Sequence, residues 1–286
     1  MTASLARRLH VAILLALTAT PQLAGESTDF GKLLERTAPA LVTVQLVLQV
    51  KTTGSMGQLI GDSQGFETET VCTVIDAQGL ILCSNTQTTG YMGIMQRVMG
   101  HMGAQSDLAV TPTQIRVLVA GETKPFTAKL LVRDTDLDLA WLQIENGGDR
   151  SFAFVDFAQN ASPGAGDLIF AIRRLDKFFD RAPSLLEARV SSITQKPRAL
   201  IIPTAGFETS LGIPVLTTSG QAIGVLVLQL PDESESSSRP GLSLEMMGWS
   251  SRMQDIGRGV VLPAADVVKA TRKALASLPE ETPKKD

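Results

Sequence analysis

The sequence is poor in histidine, aromatic residues and cysteine, and it has no excess of positive charge. Its 286 residues include two histidines, two cysteines and 5% aromatic residues, with 26 basic side chains against 29 acidic ones. A formal charge of −3 without a dense Lys/Arg cluster argues against nucleic acid as the main partner, and the few aromatic residues argue against a base-stacking surface. His10 lies in an N-terminal leader pattern, so any imidazole chemistry elsewhere depends on His101 alone.

Long apolar runs are also missing, apart from one short run at the N-terminus. Arg7, Arg8 and His10 precede the apolar residues 11–17, and small residues follow. This pattern predicts a secretory signal peptide over residues 1–25, because the run is too short to span a bilayer; a retained anchor is the alternative. We therefore expect an exported protein, periplasmic or extracellular, with no membrane span after signal removal.

The two cysteines flank a predicted hairpin turn at residues 76–79 (Asp-Ala-Gln-Gly). If the turn has two central residues, Cys72 faces Cys83 directly across the hairpin, close enough for a disulfide in an exported protein. Gly79 also suits a three-residue loop with a glycine bulge, which shifts the register by one residue and places the sulfurs on opposite faces. A disulfide and two free buried thiols are therefore both open at this point.

Short segments of β-branched and apolar residues, separated by turn residues, predict an all-β protein. The predicted strands are 40–50, 68–75, 80–84, 115–119, 128–132 and 139–144, then 168–172, 188–193, 199–202, 214–216, 222–230 and 259–262. Many short strands with little helix are typical of a sandwich or a barrel. Helices are predicted over 30–37 and 263–278, where apolar residues recur at helical spacing.

The strands fall into two groups, with a predicted boundary near residues 145–152. This division gives an N-terminal barrel over 26–150 and a C-terminal barrel with the terminal helix over 151–278. The last residues, 279–286, are predicted to form a flexible tail because they are polar and follow the helix.

Five segments, in this order along the chain, resemble the protease domain of HtrA-type trypsin-like serine proteases. They are residues 74–82 (VIDAQGLIL), 136–144 (DLDLAWLQI), 166–172 (GDLIFAI), 212–225 and 259–264. The resemblance covers roughly residues 35–275 and implies two six-stranded antiparallel β-barrels, the chymotrypsin fold, with a site in the cleft between them. Too few residues follow it for the PDZ domain that many relatives carry.

The resemblance also places the three positions of the catalytic triad. In that family a Ser attacks after a His takes its proton, and an Asp holds the His in place. Aligned without gaps, the Asp position is Asp138, the His position is Thr86 and the Ser position is Leu211. Thr has no basic state near neutral pH and Leu has no nucleophilic atom, so a member inactive as a peptidase is implied. Ser210 is the alternative nucleophile, in an endopeptidase with an unorthodox site.

Neighbouring positions differ from the family pattern as well. Glu208 and Thr209 occupy the turn whose backbone N–H groups form the oxyanion hole, and Arg173 and Arg174 stand where the family has glycine and asparagine. A carboxylate in the oxyanion turn opposes the negative charge that the reaction develops. We therefore expect a non-catalytic domain, without a cofactor, that binds or scaffolds a protein or peptide in the cell envelope or outside it.

One insertion is rich in methionine. Met92, Met95, Met99 and Met102 form a single stripe if the segment is helical, and His101 lies beside it. Thioethers with an imidazole select Cu(I), so a copper-binding protein is a distant alternative. Methionine is also an adaptable apolar residue, so the simpler interpretation is that the stripe packs over the cleft or contacts a partner.

Overall fold

The computed structural model describes residues 30–52, 65–89, 108–196, 198–204, 207, 210–229 and 259–279. The predicted signal peptide, the methionine stripe with His101, Glu208, Thr209 and all but the first residue of the predicted tail lie outside these residues. Within the part of the chain that is described, no helix is long and apolar enough to cross a membrane.

The described residues form two closed β-barrels of six strands each. The first contains β1 (Leu41–Thr52), β2 (Phe66–Val74), β3 (Leu80–Ser84), β4 (Leu108–Leu118), β5 (Phe126–Asp134) and β6 (Leu139–Ile144). The second contains β7 (Leu168–Arg174), β8 (Pro183–Thr194), β9 (Leu200–Pro203), β10 (Pro214–Leu216), β11 (Ala222–Val227) and β12 (Val260–Pro263). The orders β1-β2-β3-β6-β5-β4 and β7-β8-β9-β12-β11-β10 are the same, and the pairs are antiparallel. The predicted all-β chymotrypsin fold is confirmed.

Alternation of side chains along the strands gives each barrel its own apolar interior. In β1 the even-numbered residues from Val42 to Leu48 point into the first barrel, and in β7 Ile169 and Ala171 point into the second. Residues of opposite parity, such as Leu41 and Phe170, belong to a third apolar cluster shared by the two barrels and the helices. The two barrels are therefore packed directly against each other through this shared cluster.

The terminal helices join the barrels crosswise. Helix α1 (Phe30–Thr37) precedes the first barrel but packs on the second, with the Phe30 and Phe170 rings 5.0 Å apart. Helix α2 (Ala264–Ala276) follows the second barrel, and Thr271 accepts a hydrogen bond of 3.0 Å from the indole N–H of Trp141 in the first. Both helices were predicted, α1 with these bounds.

Strand β4 begins at Leu108, earlier than the predicted start at residue 115, and it contains a proline. Pro112 has no N–H for a ladder hydrogen bond, so it does not fit a regular strand interior. In the structure the pairing of β1 with β4 shifts between Val47 and Leu48, and Pro112 lies opposite Leu48 at this bulge. Thr113 donates its hydroxyl to the Val47 carbonyl at 3.1 Å. The irregularity accommodates the proline in an otherwise continuous strand.

The hairpin of β2 and β3 has the register that brings the cysteines face to face. Thr73 pairs with Leu82, and Cys72 is bonded to Cys83 with their Cα atoms 4.7 Å apart. Gly79 has a φ of 85°, as expected for a glycine bulge, yet no shift follows. The carboxylate of Asp76 accepts the N–H of Leu80 at 2.9 Å, which takes this group out of the strand ladder. The direct-facing alternative is therefore confirmed.

A non-reducing peptide map is expected to show Cys72 linked to Cys83. Reduction should lower the free energy of unfolding by about 2–4 kcal/mol, because the bridge restricts the unfolded chain. A Cys72→Ala, Cys83→Ala variant should show a similar loss in urea and no further response to reductant. Equal urea midpoints for the reduced and oxidised wild-type protein would contradict this expectation.

Candidate functional site

The predicted site residues Thr86 and Asp138 lie in contact at one end of the first barrel. Strands β3 and β6 are antiparallel neighbours, with Ser84 opposite Leu139, so the residues after β3 meet those before β6. The carboxylate oxygen Oδ1 of Asp138 accepts the Thr86 hydroxyl at 2.6 Å and the Thr86 backbone N–H at 2.8 Å. Both residues are fully buried. Oδ1 of Asp138 therefore accepts two hydrogen bonds from Thr86, one from its hydroxyl and one from its backbone N–H.

The second carboxylate oxygen of Asp138 is also engaged. Oδ2 accepts the Ser84 hydroxyl at 2.8 Å and the Leu228 backbone N–H at 2.9 Å, and both contacts are buried. Leu228 directly follows β11 of the second barrel, so this carboxylate links the two barrels. Asp138 holds this position with a φ of 58°, in the left-handed region that aspartate tolerates better than most residues.

Sequence reasoning found Asp138 and Thr86 but missed Ser84 and Leu228. Ser84 carried a weak signal, since it is a small polar residue at the end of the buried strand β3 and lies two positions before Thr86. Leu228 carried none, because its backbone N–H makes the contact and its side chain plays no part in it.

Leu211 and Ser210 lie in the segment before β10, at the cleft between the two barrels. Leu211 is 7% exposed and packs with Leu228 in a small apolar cluster. Ser210 is also 7% exposed, and its backbone N–H donates to the Phe207 carbonyl at 3.2 Å. Both residues line the cleft, whereas Thr86 is fully buried and is not among the lining residues. Among the described residues, none forms a hydrogen bond with the Ser210 hydroxyl.

Gly212, which follows Leu211, has a left-handed backbone conformation. It has a φ of 82°, and its N–H donates to the Leu226 carbonyl at 2.7 Å. A Cβ at this position would lie 2.8 Å from the backbone nitrogen of Ser84, so only glycine fits. The next residue, Ile213, is 1% exposed and packs into the second barrel.

The cleft between the barrels has a volume of about 370 Å³. It is lined by Thr43, Thr68, Glu69, Thr70, Val71, Gln87, Arg173, Arg174, Leu175, Asp176, Ser210, Leu211 and Ile213. The lining combines hydroxyl groups, an amide, apolar side chains and charges of both signs. No group of three or more His, Cys, Asp or Glu within the described ranges is placed to hold a metal ion.

Most charged groups in this lining are already paired. Glu69 accepts hydrogen bonds from Arg181 at 2.6 Å and Gln45 at 2.8 Å. Burial raises the pKa of the Glu69 carboxyl, whereas these hydrogen bonds lower it by a larger amount. The pKa therefore lies below its ordinary value. Arg174 donates to the carbonyl groups of Leu41 at 2.6 Å and Ala38 at 2.7 Å, and burial lowers its pKa. It is a structural link between β7 and the start of β1.

Arg173 is the exception. Its Nε atom is buried and has no hydrogen-bond partner among the described residues. Arg173 lies on the same face of β7 as Ile169 and Ala171, which point into the second barrel, so its stem lies over the end of that barrel. Arg173 is one of the residues that line the cleft, together with Ser210 and Leu211.

No protein-family model matches the sequence, and no curated protein matches it. Among 301 matching chains of solved structures is the protease domain of MamO from Magnetospirillum magneticum, in its apo form. The two are 15% identical over 82% of this chain and 97% of that one, with a TM-score of 0.47. A TM-score of this size carries no argument for the fold. The fold is assigned from the strand order and pairing of the two barrels. This chain therefore has the trypsin-like fold of two closed six-stranded barrels.

Proposed function

We propose that this protein is an exported, non-catalytic protein of the trypsin-like fold that binds protein or peptide segments in the cleft between its barrels. The observation that carries the proposal is the state of the Asp138 carboxylate, which is buried and accepts donors from Ser84, Thr86 and Leu228. In a protease this carboxylate orients a histidine. Here a threonine hydroxyl takes the hydrogen bond, and no base results.

The nucleophile side of the cleft supports the same proposal. Leu211 supplies apolar surface where a hydroxyl is needed, and its contact with Leu228 gives it a packing role. Ser210 borders the cleft, but Thr86 has no basic state with which to accept its proton. The one histidine outside the leader pattern, His101, lies beyond the described residues.

The cleft has the mixed character of a peptide-binding groove. Hydroxyl groups of Thr43, Thr70 and Ser210 offer hydrogen bonds, while Leu211 and Ile213 offer apolar contact. Pockets of about 300–1,000 Å³ that combine an apolar lining with a few polar groups are typical ligand sites. A cleft of this size accepts one or two side chains of an extended segment.

Export is proposed from the N-terminal pattern and is supported by the disulfide. Bonds such as Cys72–Cys83 form and persist in oxidising compartments and are rare in the cytosol. The partner is then a protein or peptide of the cell envelope or the exterior.

The absence of catalysis is tested with an activity-based probe. The purified protein should show no labelling by a fluorophosphonate and should not cleave a denatured, fluorescently labelled protein, because the cleft holds no activated serine. A trypsin-like protease assayed in parallel confirms that the probe and the substrate work.

The Ser210→Ala variant is the matched control for that test. Labelling or cleavage by the wild-type protein that disappears in Ser210→Ala would contradict the proposal and establish an endopeptidase that acts through Ser210. Binding of the denatured protein without cleavage, measured by fluorescence anisotropy, is the expected result for both forms.

A further inference from the structure

Arg173 is a cation at the cleft without a partner. Its Nε atom is buried, and no hydrogen bond or ion pair joins it to any residue the structure describes. The other charged residues of the lining are committed. Glu69 binds Arg181, Arg174 binds backbone carbonyls, and Asp176 accepts the N–H of Phe178 at 2.8 Å. Among the charged residues described in the lining, Arg173 is therefore the one without a hydrogen-bond or ion-pair partner.

The buried Nε donor of Arg173 is unfavourable unless an acceptor binds it. A buried donor without an acceptor costs about 1–3 kcal/mol, and arginine cannot relieve this by losing its proton. The family that the sequence resembles has glycine at this position, so the fold itself does not require the side chain. A ligand that supplies the acceptor is the simplest role for it.

The surroundings of Arg173 favour a carboxylate over a more highly charged anion. Glu69 and Asp176 line the same cleft, so a phosphate dianion would meet two negative groups. A carboxylate carries a single charge and matches the planar fork of the guanidinium. Val71, Leu211 and Ile213 border the same space with aliphatic surface.

We propose that the cleft selects peptide segments in which a carboxylate lies beside an aliphatic side chain, with Arg173 binding the carboxylate. The carboxylate belongs to a Glu or Asp side chain or to the C-terminus of the bound chain. The apolar neighbour packs against Leu211 and Ile213. This selectivity rests on the proposed function and makes it specific, since it names the chemistry that the non-catalytic cleft recognises.

The experiment uses dye-labelled short peptides with randomised flanking positions and a fixed central Leu. One set carries Glu beside the Leu with an amidated end, a second carries Gln instead, and a third ends in Leu with a free carboxylate. The wild-type protein should bind the Glu set or the free-carboxylate set about tenfold or more tightly than the Gln set in anisotropy titrations, as a charge-assisted bond implies. The comparison between the two acidic sets identifies the source of the carboxylate.

The Arg173→Met variant should bind all three sets equally, and Arg173→Lys should keep part of the preference. Arg116→Met is the matched control, because Arg116 is a surface residue of β4 paired with Glu67, and it should leave the preference unchanged. Urea unfolding checks the fold. Arg173→Met is expected to be as stable as the wild type or more so, since it removes an unpartnered buried donor.

Three results would overturn the inference, and they differ in what they say about the proposed function. If the wild-type protein binds the acidic and neutral sets with equal affinity, the role of Arg173 is wrong and a non-selective peptide cleft stands. If no set binds, both the selectivity and the proposed function fail. A preference that persists in Arg173→Met assigns the carboxylate to another residue and also overturns the inference.

Discussion

Replacement of Asp138 by alanine is expected to lower the free energy of unfolding by several kcal/mol. The carboxylate is buried and accepts the backbone N–H groups of Thr86 and Leu228 together with two hydroxyls. The hydroxyls can turn to other acceptors, but each backbone N–H left without an acceptor costs about 1–3 kcal/mol. Alanine is also less favourable than aspartate at a φ of 58°. Urea unfolding followed by tryptophan fluorescence measures the loss.

Two further variants at this position separate the contribution of the carboxylate to stability from that of the left-handed backbone conformation. Asp138→Gly removes the strain of the left-handed conformation but not the loss of the acceptor, so it should remain strongly destabilised. Asp138→Asn retains one oxygen for the Thr86 donors, and its amide can donate to the Ser84 hydroxyl. The amide then faces the Leu228 N–H, so an intermediate loss is expected.

The control for these variants is Asp136→Ala. The Asp136 side chain is 69% exposed and pairs with Arg198 at 2.7 Å, and exposed ion pairs contribute about 0–1 kcal/mol. Asp138→Ala with a loss no larger than this control would contradict the structural role. An increase in stability would indicate instead a functional residue kept at a cost, since active sites are often held in strained or destabilised arrangements.

Replacement of Gly224 by alanine is expected to prevent stable folding or to lower the free energy of unfolding by more than about 4 kcal/mol. A Cβ at Gly224 would lie 2.0 Å from the carbonyl oxygen of Leu262 and 2.8 Å from Cγ1 of Val261. The nearest atom belongs to the backbone of β12, which cannot move without breaking its pairing with β11. Near-ultraviolet circular dichroism and urea unfolding of the purified variant measure the effect.

Gly164→Ala is the control for Gly224→Ala. Its nearest neighbour would be a carboxylate oxygen of Asp167 at 3.6 Å, an ordinary contact, so stability should stay within about 1 kcal/mol of the wild type or rise slightly. A wild-type melting profile for Gly224→Ala would show that β11 and β12 lie further apart than the structure places them.

The strand pattern was predictable from the sequence because it depends on local alternation. All twelve predicted strands correspond to strands β1–β12 of the described residues, and errors fall at the ends, as at the start of β4. Pro112 lies within β4 at a bulge, and the pairing with β1 that accommodates it is not visible in the local sequence. The disulfide was undecided because Gly79 fits two turn geometries. The choice between them depends on the Asp76 carboxylate capturing the Leu80 N–H.

The candidate site was only partly predictable. The family resemblance predicted Thr86, Asp138 and Leu211 as site positions, and the proposed absence of the usual serine mechanism follows from their side chains. The partners of Asp138 were not predictable, because Ser84 is 54 residues away in the chain and Leu228 is 90 residues away. The contact from Leu228 uses a backbone N–H, a group that every residue except proline carries, so the residue type does not indicate it.

What the sequence by itself determined is therefore the two sets of strands and the side chains, Thr86 and Leu211, on which the proposed absence of a base and a nucleophile rests. The first follows from the period of apolar residues, and the second from side chains that lack the required atoms wherever they lie. Only the tertiary structure decided what the remaining charges do. Asp138 accepts hydrogen bonds from both barrels, Arg174 donates to the Leu41 carbonyl at the start of the first barrel, and Arg173 lines the cleft with an Nε atom that has no partner among the described residues. Two adjacent arginines differ in role because successive side chains of β7 point to opposite faces, and only packing shows which face meets an acceptor.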